Sequence, residues 1–353
     1  MSLAEAAAPV LTRLPDRAYL RAVCREGVRA ARALHDPSRL AAALVRAGEA
    51  DNLDGHVDNA VDQLSEAVTA WRDLGDAHHE ADAHRVLGDA LRNAGRYADA
   101  VRELQRALSL YRRQGRRSGE ADALAHLGVA YLSRGNGDPA AIDVLEQAVA
   151  IHAEIDIELS GRAFGLVLLG AAYTAADRLA GGGPLLEDGL ACYRRAGDRR
   201  GEAFALRELG RHADKQARHD DAARHHAASI AIYEETGDDA GLGLSVETAG
   251  DNQMARRDPS AAATSFTRST AIWQSLGDRA RQGIGLLKLA EALATSGHPA
   301  EAATSRAAAE ELLADTDIPD ADLVRTSLDA MPPSTEPPET GPDAQTPQSP
   351  LGR

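Results

Sequence analysis

The five residues VLGDA at 86–90 recur as HLGVA at 126–130, LLGAA at 168–172 and ELGRH at 208–212. Their glycines, Gly88, Gly128, Gly170 and Gly210, extend outward to Gly48 and Gly250, and Ala290 holds the place in a last copy. Successive copies stand 40 residues apart, except for 42 between Gly128 and Gly170. A fixed period of this size marks a stacked array in which each unit is one supersecondary element.

Other columns keep the same register. Seven residues after the shared glycine come Gly55, Gly95, Gly135 and Gly297, which predict a turn. Five further on is a small residue: Ala60, Ala100, Ala222, Ala262 or Ala302. An aromatic stands near each unit's end, at Trp71, Tyr111, Tyr193, Tyr233 and Trp273, and Gly-Asp follows at 75–76, 197–198, 237–238 and 277–278. Apolar residues fall at helical spacing, as in Leu64, Ala67, Val68 and Trp71. Each unit therefore reads as helix, turn, helix, turn. The closing glycine suits a left-handed C-terminal residue, and the aspartate suits an N-cap.

This pattern resembles the tetratricopeptide repeat, through Leu87-Gly88 in a first helix and Ala100, Leu104 and Ala107 in a second. The 40-residue form closed by Gly-Asp is similar to the repeats of kinesin light chains and to the C-terminal arrays of actinobacterial transcription regulators. The resemblance implies an all-α fold, a right-handed α-solenoid of about seven helix-turn-helix repeats over 38–318. Residues 1–37 are expected to hold an N-terminal capping helix, with Asp36-Pro37 opening the next one. Residues 319–330 read as a C-terminal capping helix, and 331–353, rich in Pro, Ser and Thr, as a disordered tail.

Composition agrees with an all-helical chain. Of 353 residues, 44% are hydrophobic but only 3% aromatic, which is poor material for strands. The net charge of −15 is the wrong sign for neutralising phosphates, so direct nucleic-acid binding is not expected. Only Lys215 and Lys288 are lysine among 39 basic residues, a bias typical of high-GC bacterial genes. Two distant cysteines, Cys24 and Cys192, make no disulfide framework and suit a reducing cytoplasm. No apolar run approaches the ~20 residues of a membrane span, and MSLAEAAAPVLTRLPDR at 1–17 does not read as a signal peptide.

Candidate chemistry is sparse. Gly181-Gly182-Gly183-Pro184 lacks the lysine and the preceding strand of a phosphate loop. The register puts Gly182 in the small-residue column, Asp177 at the turn, and Pro184 in a first helical turn. HHEADAH (78–84) spaces His79 and His84 by five, not the four that a helical zinc site needs, with a turn expected before His84. The basic corners YRRQGRR (111–117) and YRRAGDRR (193–200) read as cations placed against helix C-termini. No catalytic residue, cofactor or metal is assigned, and the chain is not read as an enzyme.

In tetratricopeptide arrays the first helices line a concave face that binds partners. Carried over by column, the resemblance assigns to that groove Asp82, Arg85, Asp89 and Arg92 in the second unit, and Asp122, Ala125, Val129 and Leu132 in the third. The fourth supplies Phe164, Val167, Ala171 and Thr174, and the fifth Phe204, Arg207, Arg211 and Asp214. The sixth supplies Leu244, Glu247, Asp251 and Met254. Two of the chain's three phenylalanines fall on this face. The sequence departs from the adaptors, whose Asn before Leu-Gly is replaced by Val86, His126, Leu168 and Glu208, and it lacks the Lys/Asn clamp of chaperone-binding arrays. The expected role is a bacterial regulatory adaptor or sensor that binds a protein or peptide. The runner-up is a receptor for a small molecule or signal peptide.

Overall fold

The computed structural model describes residues 17–134, 138–155, 159–314 and 326. Fifteen α-helices account for nearly all of these residues, and they contain no strand. Helix α1 (Arg17–Ala33) precedes seven pairs: α2 (Pro37–Leu53) with α3 (Val57–Asp73), α4 (Ala77–Asn93) with α5 (Tyr97–Gln114), and α6 (Arg117–Arg134) with α7 (Pro139–Glu154). Then come α8 (Leu159–Ala175) with α9 (Leu179–Ala196), α10 (Arg199–Lys215) with α11 (His219–Thr236), α12 (Asp239–Ala255) with α13 (Pro259–Leu276), and α14 (Arg279–Thr295) with α15 (Pro299–Leu313). The expected turn at Gly135, capping helix at 319–330 and tail at 331–353 lie outside the described residues, Thr326 apart.

The shared glycine column has a steric cause. A Cβ added at Gly48, Gly88, Gly128 or Gly170 would lie 2.5–2.7 Å from the side chain of Leu64, Leu104, Leu145 or Leu186 in the paired helix. In the fifth and sixth pairs His226 and Phe266 take the leucine's place over Gly210 and Gly250. All four leucines are fully buried. The glycine lets the two helices of a unit approach closely, and interiors packed this tightly resist added atoms.

The aromatic column joins one unit to the next. Tyr111, Tyr193 and Tyr233 press on Gly119, Gly201 and Gly241 at the start of the following helix. Where that glycine is absent, a flat side chain replaces it. Trp71 stacks on His79 at 4.5 Å, and the Arg281 guanidinium lies 5.1 Å from the Trp273 ring. Between these contacts, Gly115, Gly197, Gly237 and Gly277 adopt the left-handed conformation that ends each second helix. Asp76, Asp198, Asp238 and Asp278 then accept a backbone N–H from the helix they cap.

Two local expectations are corrected. Helix α9 starts at Leu179, so Pro184 is its sixth residue rather than part of the first turn. The bond that the proline cannot make would have gone to the carbonyl of Ala180, which lies on an exposed turn. No turn precedes His84 either, because α4 is continuous from Ala77 and buries that histidine. Gly182 does sit in the tight column: a Cβ there would lie 3.0 Å from both the Gly170 carbonyl and the Thr174 hydroxyl. The turn before α9 is held by Asp177 at φ 57°.

The array also meets itself. Gly55, in the turn between α2 and α3, lies against the carbonyl of Leu276 at the end of α13. The first and sixth pairs thus approach each other at this point.

Candidate functional site: the inner face of the superhelix

The first helix of each of the first five pairs, α2, α4, α6, α8 and α10, packs against the first helix of the next pair as well as its own partner. Among the described residues, no second helix packs as closely on the next second helix. The first helices therefore form the inner layer, and their residues floor the groove.

At its centre runs an aromatic ladder. The His126 ring on α6 is 5.9 Å from Phe164 on α8, and Phe164 is 6.1 Å from Phe204 on α10. The Arg207 guanidinium caps the ladder, 5.2 Å from the Phe204 ring. Both phenylalanines are only half-buried. Val129 and Leu132 add partly buried apolar surface beside them.

Charges flank the ladder on both sides. On α4, Arg85 pairs with Asp89 at 3.7 Å, and the Asp89 carboxylate lies 2.7 Å from Nδ1 of His126. Burial works against the Asp89 anion, but His126, Arg92 and Arg85 together hold its pKa below the usual carboxylate value. Asp82 accepts from the Tyr111 hydroxyl at 2.6 Å and from Arg116 at 3.2 Å. Arg92 is different: its Nε is buried without a hydrogen-bond partner. Burial lowers its pKa, and Arg281, from the last pair across the groove, lowers it further.

On the other side, Glu208 is buried between Arg207 at 2.9 Å and Arg211 at 3.2 Å. Asp214 gathers His219 at 3.0 Å, His226 at 3.2 Å and the Asn252 amide at 2.6 Å. Lys288 on α14 donates to Glu247 at 2.7 Å and to Asp251 at 2.9 Å. Burial opposes the Lys288 cation, yet these two carboxylates raise its pKa above the ordinary lysine value.

Most of the residues assigned by column stand on this inner layer, but three are buried between helices. Ala125 is 1%, Val167 0% and Thr174 6% exposed. Val167 leans into the space over Gly189, where no side chain fills it. The Thr174 hydroxyl donates to the Gly170 carbonyl and lies 2.8 Å from Nδ1 of His212. Column arithmetic missed His126, Glu208 and Lys288. Lys288 carried a signal, as one of two lysines, and His126 stood where the adaptors carry asparagine.

Several arginines of the basic corners pair with acidic residues of the array. Arg112 and Arg117 share Glu120, Arg194 and Arg199 share Glu202, and Arg72 reaches Glu80 at the equivalent corner. Among the described residues no group of three or more His, Cys, Asp or Glu is placed to hold a metal ion. No helix among them is long and apolar enough to cross a membrane.

The family model described as tetratricopeptide repeat matches residues 39–113 and again 80–154, within the first three pairs. Residues 39–154 are thus tetratricopeptide repeats. No curated protein matches the chain in sequence. Among solved structures, the repeat array is similar to the apo form of the quorum sensor NprR from B. thuringiensis, at TM-score 0.62 and 13% identity, over 83% of this chain and 82% of that one. A Rap protein complexed with Competence and Sporulation Factor gives TM-score 0.62 and 13% identity over 78% and 74%. A signal transduction ATPase with a tetratricopeptide repeat sensor from Pyrococcus horikoshii gives 0.52 and 14% over 85% of this chain and 48% of that one. At these identities the likeness is one of fold. It extends the tetratricopeptide architecture well past the residues that the family model matches.

Proposed function

We propose that this repeat protein is a regulatory adaptor or sensor that grips a peptide or a helix in its concave groove. The observation that carries the reading is the ladder His126–Phe164–Phe204–Arg207. It aligns aromatic surface from three successive first helices on the inner layer, and leaves it partly exposed. An apolar strip bordered by charge is the usual form of a partner-binding surface. Aromatic and arginine side chains are also the residues that most often dominate binding energy. Two fold neighbours, a quorum sensor and a Rap protein solved with a signalling factor, are in keeping with a regulatory role.

Affinity capture from a native lysate tests this, with wild type compared against the double variant Phe164→Asp/Phe204→Asp. Circular dichroism first establishes that both are equally helical. A protein or peptide retained by wild type and lost from the variant is the expected result. Equal retention by both would remove the ladder from the binding site.

A further inference from the structure

A cavity of about 370 Å³ opens at the N-terminal end of the array, and Asp89 at its edge also contacts His126 of the ladder. Helices α1, α2 and α4 enclose it. Leu20 and Val23 come from α1, Ala43, Ala50 and Leu53 from α2, and Val86 from α4. Its size falls in the range of small-molecule pockets, roughly 300–1,000 Å³.

Its polar edge is sparse and reaches solvent at Glu49. Arg46 and Glu49, one helical turn apart on α2, make no hydrogen bond or ion pair among the described residues, although both line the cavity. Arg85 and Asp89 also reach the edge, and they already neutralise each other. Cations and anions at the mouth are therefore balanced, so a net charge on the ligand gains little. A neutral group with both a donor and an acceptor satisfies Arg46 and Glu49 together.

Gly27 supplies an independent observation. It lies inside α1, where glycine costs about 1 kcal/mol relative to alanine. The glycines inside the later helices, such as Gly88, Gly201 and Gly210, are crowded by a neighbouring side chain, which accounts for them. A Cβ added at Gly27 meets nothing within 4 Å, yet this residue lines the cavity. No packing constraint in the structure requires a glycine there. What its missing side chain does is keep the cavity open.

We propose that this cavity binds a small, uncharged, largely apolar molecule carrying an amide or hydroxyl group. The apolar body packs on the leucine and valine wall, and the polar group meets Arg46 and Glu49. The site adjoins the groove through Arg85 and Asp89, but its apolar wall shares no residue with the ladder.

The test uses N-phenyl-1-naphthylamine, an uncharged apolar dye that fluoresces when taken out of water. Wild type and Gly27→Leu are titrated with it, each shown by circular dichroism to be equally helical. Wild type is expected to bind the dye saturably at one site, and Gly27→Leu to bind it at least about tenfold more weakly. Cys24 reports occupancy directly: its half-buried thiol lines the cavity, whereas Cys192 is buried elsewhere. Saturating dye is expected to slow alkylation of Cys24 by N-ethylmaleimide. Non-saturable fluorescence, undiminished binding by Gly27→Leu, or a Cys24 labelled as fast with dye as without would each overturn the proposal.

Discussion

The rings of Phe164 and Phe204 stand 6.1 Å apart, tilted by 44°, although forty residues separate them in sequence. They meet because both project from first helices toward the inside of the superhelix. Neither is fully buried, and each packs against the core while leaving part of its ring on the surface. Phe164→Ala is expected to cost about 1–2 kcal/mol of stability, against roughly 2–5 kcal/mol for Leu186→Ala, whose side chain fills the space over Gly170. Urea denaturation of the two variants makes the comparison. Equal losses would place Phe164 in the core.

Gly182 tests the packing of the fourth pair. The Gly170 carbonyl and the Thr174 hydroxyl both lie 3.0 Å from the point that a Cβ at this residue would occupy, so a leucine has no free direction. Gly182→Leu is expected to lose roughly 1–3 kcal/mol by overpacking. An unchanged midpoint in thermal unfolding would remove this position from the helix–helix contact.

The closure of the array rests on Gly55. Its φ of 78° favours glycine, and a Cβ would come 2.3 Å from the Leu276 carbonyl oxygen. Gly55→Val is expected to separate the first pair from the sixth while leaving each pair helical. Small-angle X-ray scattering would then report a larger radius of gyration. An identical scattering profile with identical helicity would mean that the contact does not hold the superhelix closed.

His152 is expected to contribute to a pH dependence of stability below neutrality. It is 3% exposed, and neither ring nitrogen has a hydrogen-bond partner. Burial favours the neutral ring and pushes its pKa below the ordinary histidine value, as it does for His212 and His225. The unfolded chain then binds protons that the folded chain refuses. Stability is full above about pH 6.5 and declines as pH falls through the lowered folded values. His152→Leu is expected to add about 1 kcal/mol at pH 7, by removing an unsatisfied polar group, and to flatten that decline. Denaturation at several pH values decides it, and a steeper decline in the variant would refute the assignment.

The repeat was legible because one cause repeats it. Every Gly88-type position must accept a side chain from its paired helix, so the glycine column reports the helix contact directly. The caps were legible for the same reason, since Asp76 and Asp198 each sit where free N–H groups need an acceptor. The groove was only partly legible. Its column assumes that every first helix is rotated alike, but Gly189 stands where Ala67 and Ala107 stand in earlier pairs, and Val167 turns inward to fill the space. Closure at Gly55 and Leu276 could not be read at all. It depends on the summed rotation of five pairs, and no short stretch of sequence encodes that sum.

The groove's role is tested most directly with peptides selected from a random-sequence display library on the wild-type protein. Enriched peptides are titrated calorimetrically against wild type and Phe164→Ala/Phe204→Ala, at matched helicity. Binding by wild type and a loss of at least about tenfold in the variant, or about 1.4 kcal/mol, is the predicted result. Peptides that bind both proteins equally would contradict it.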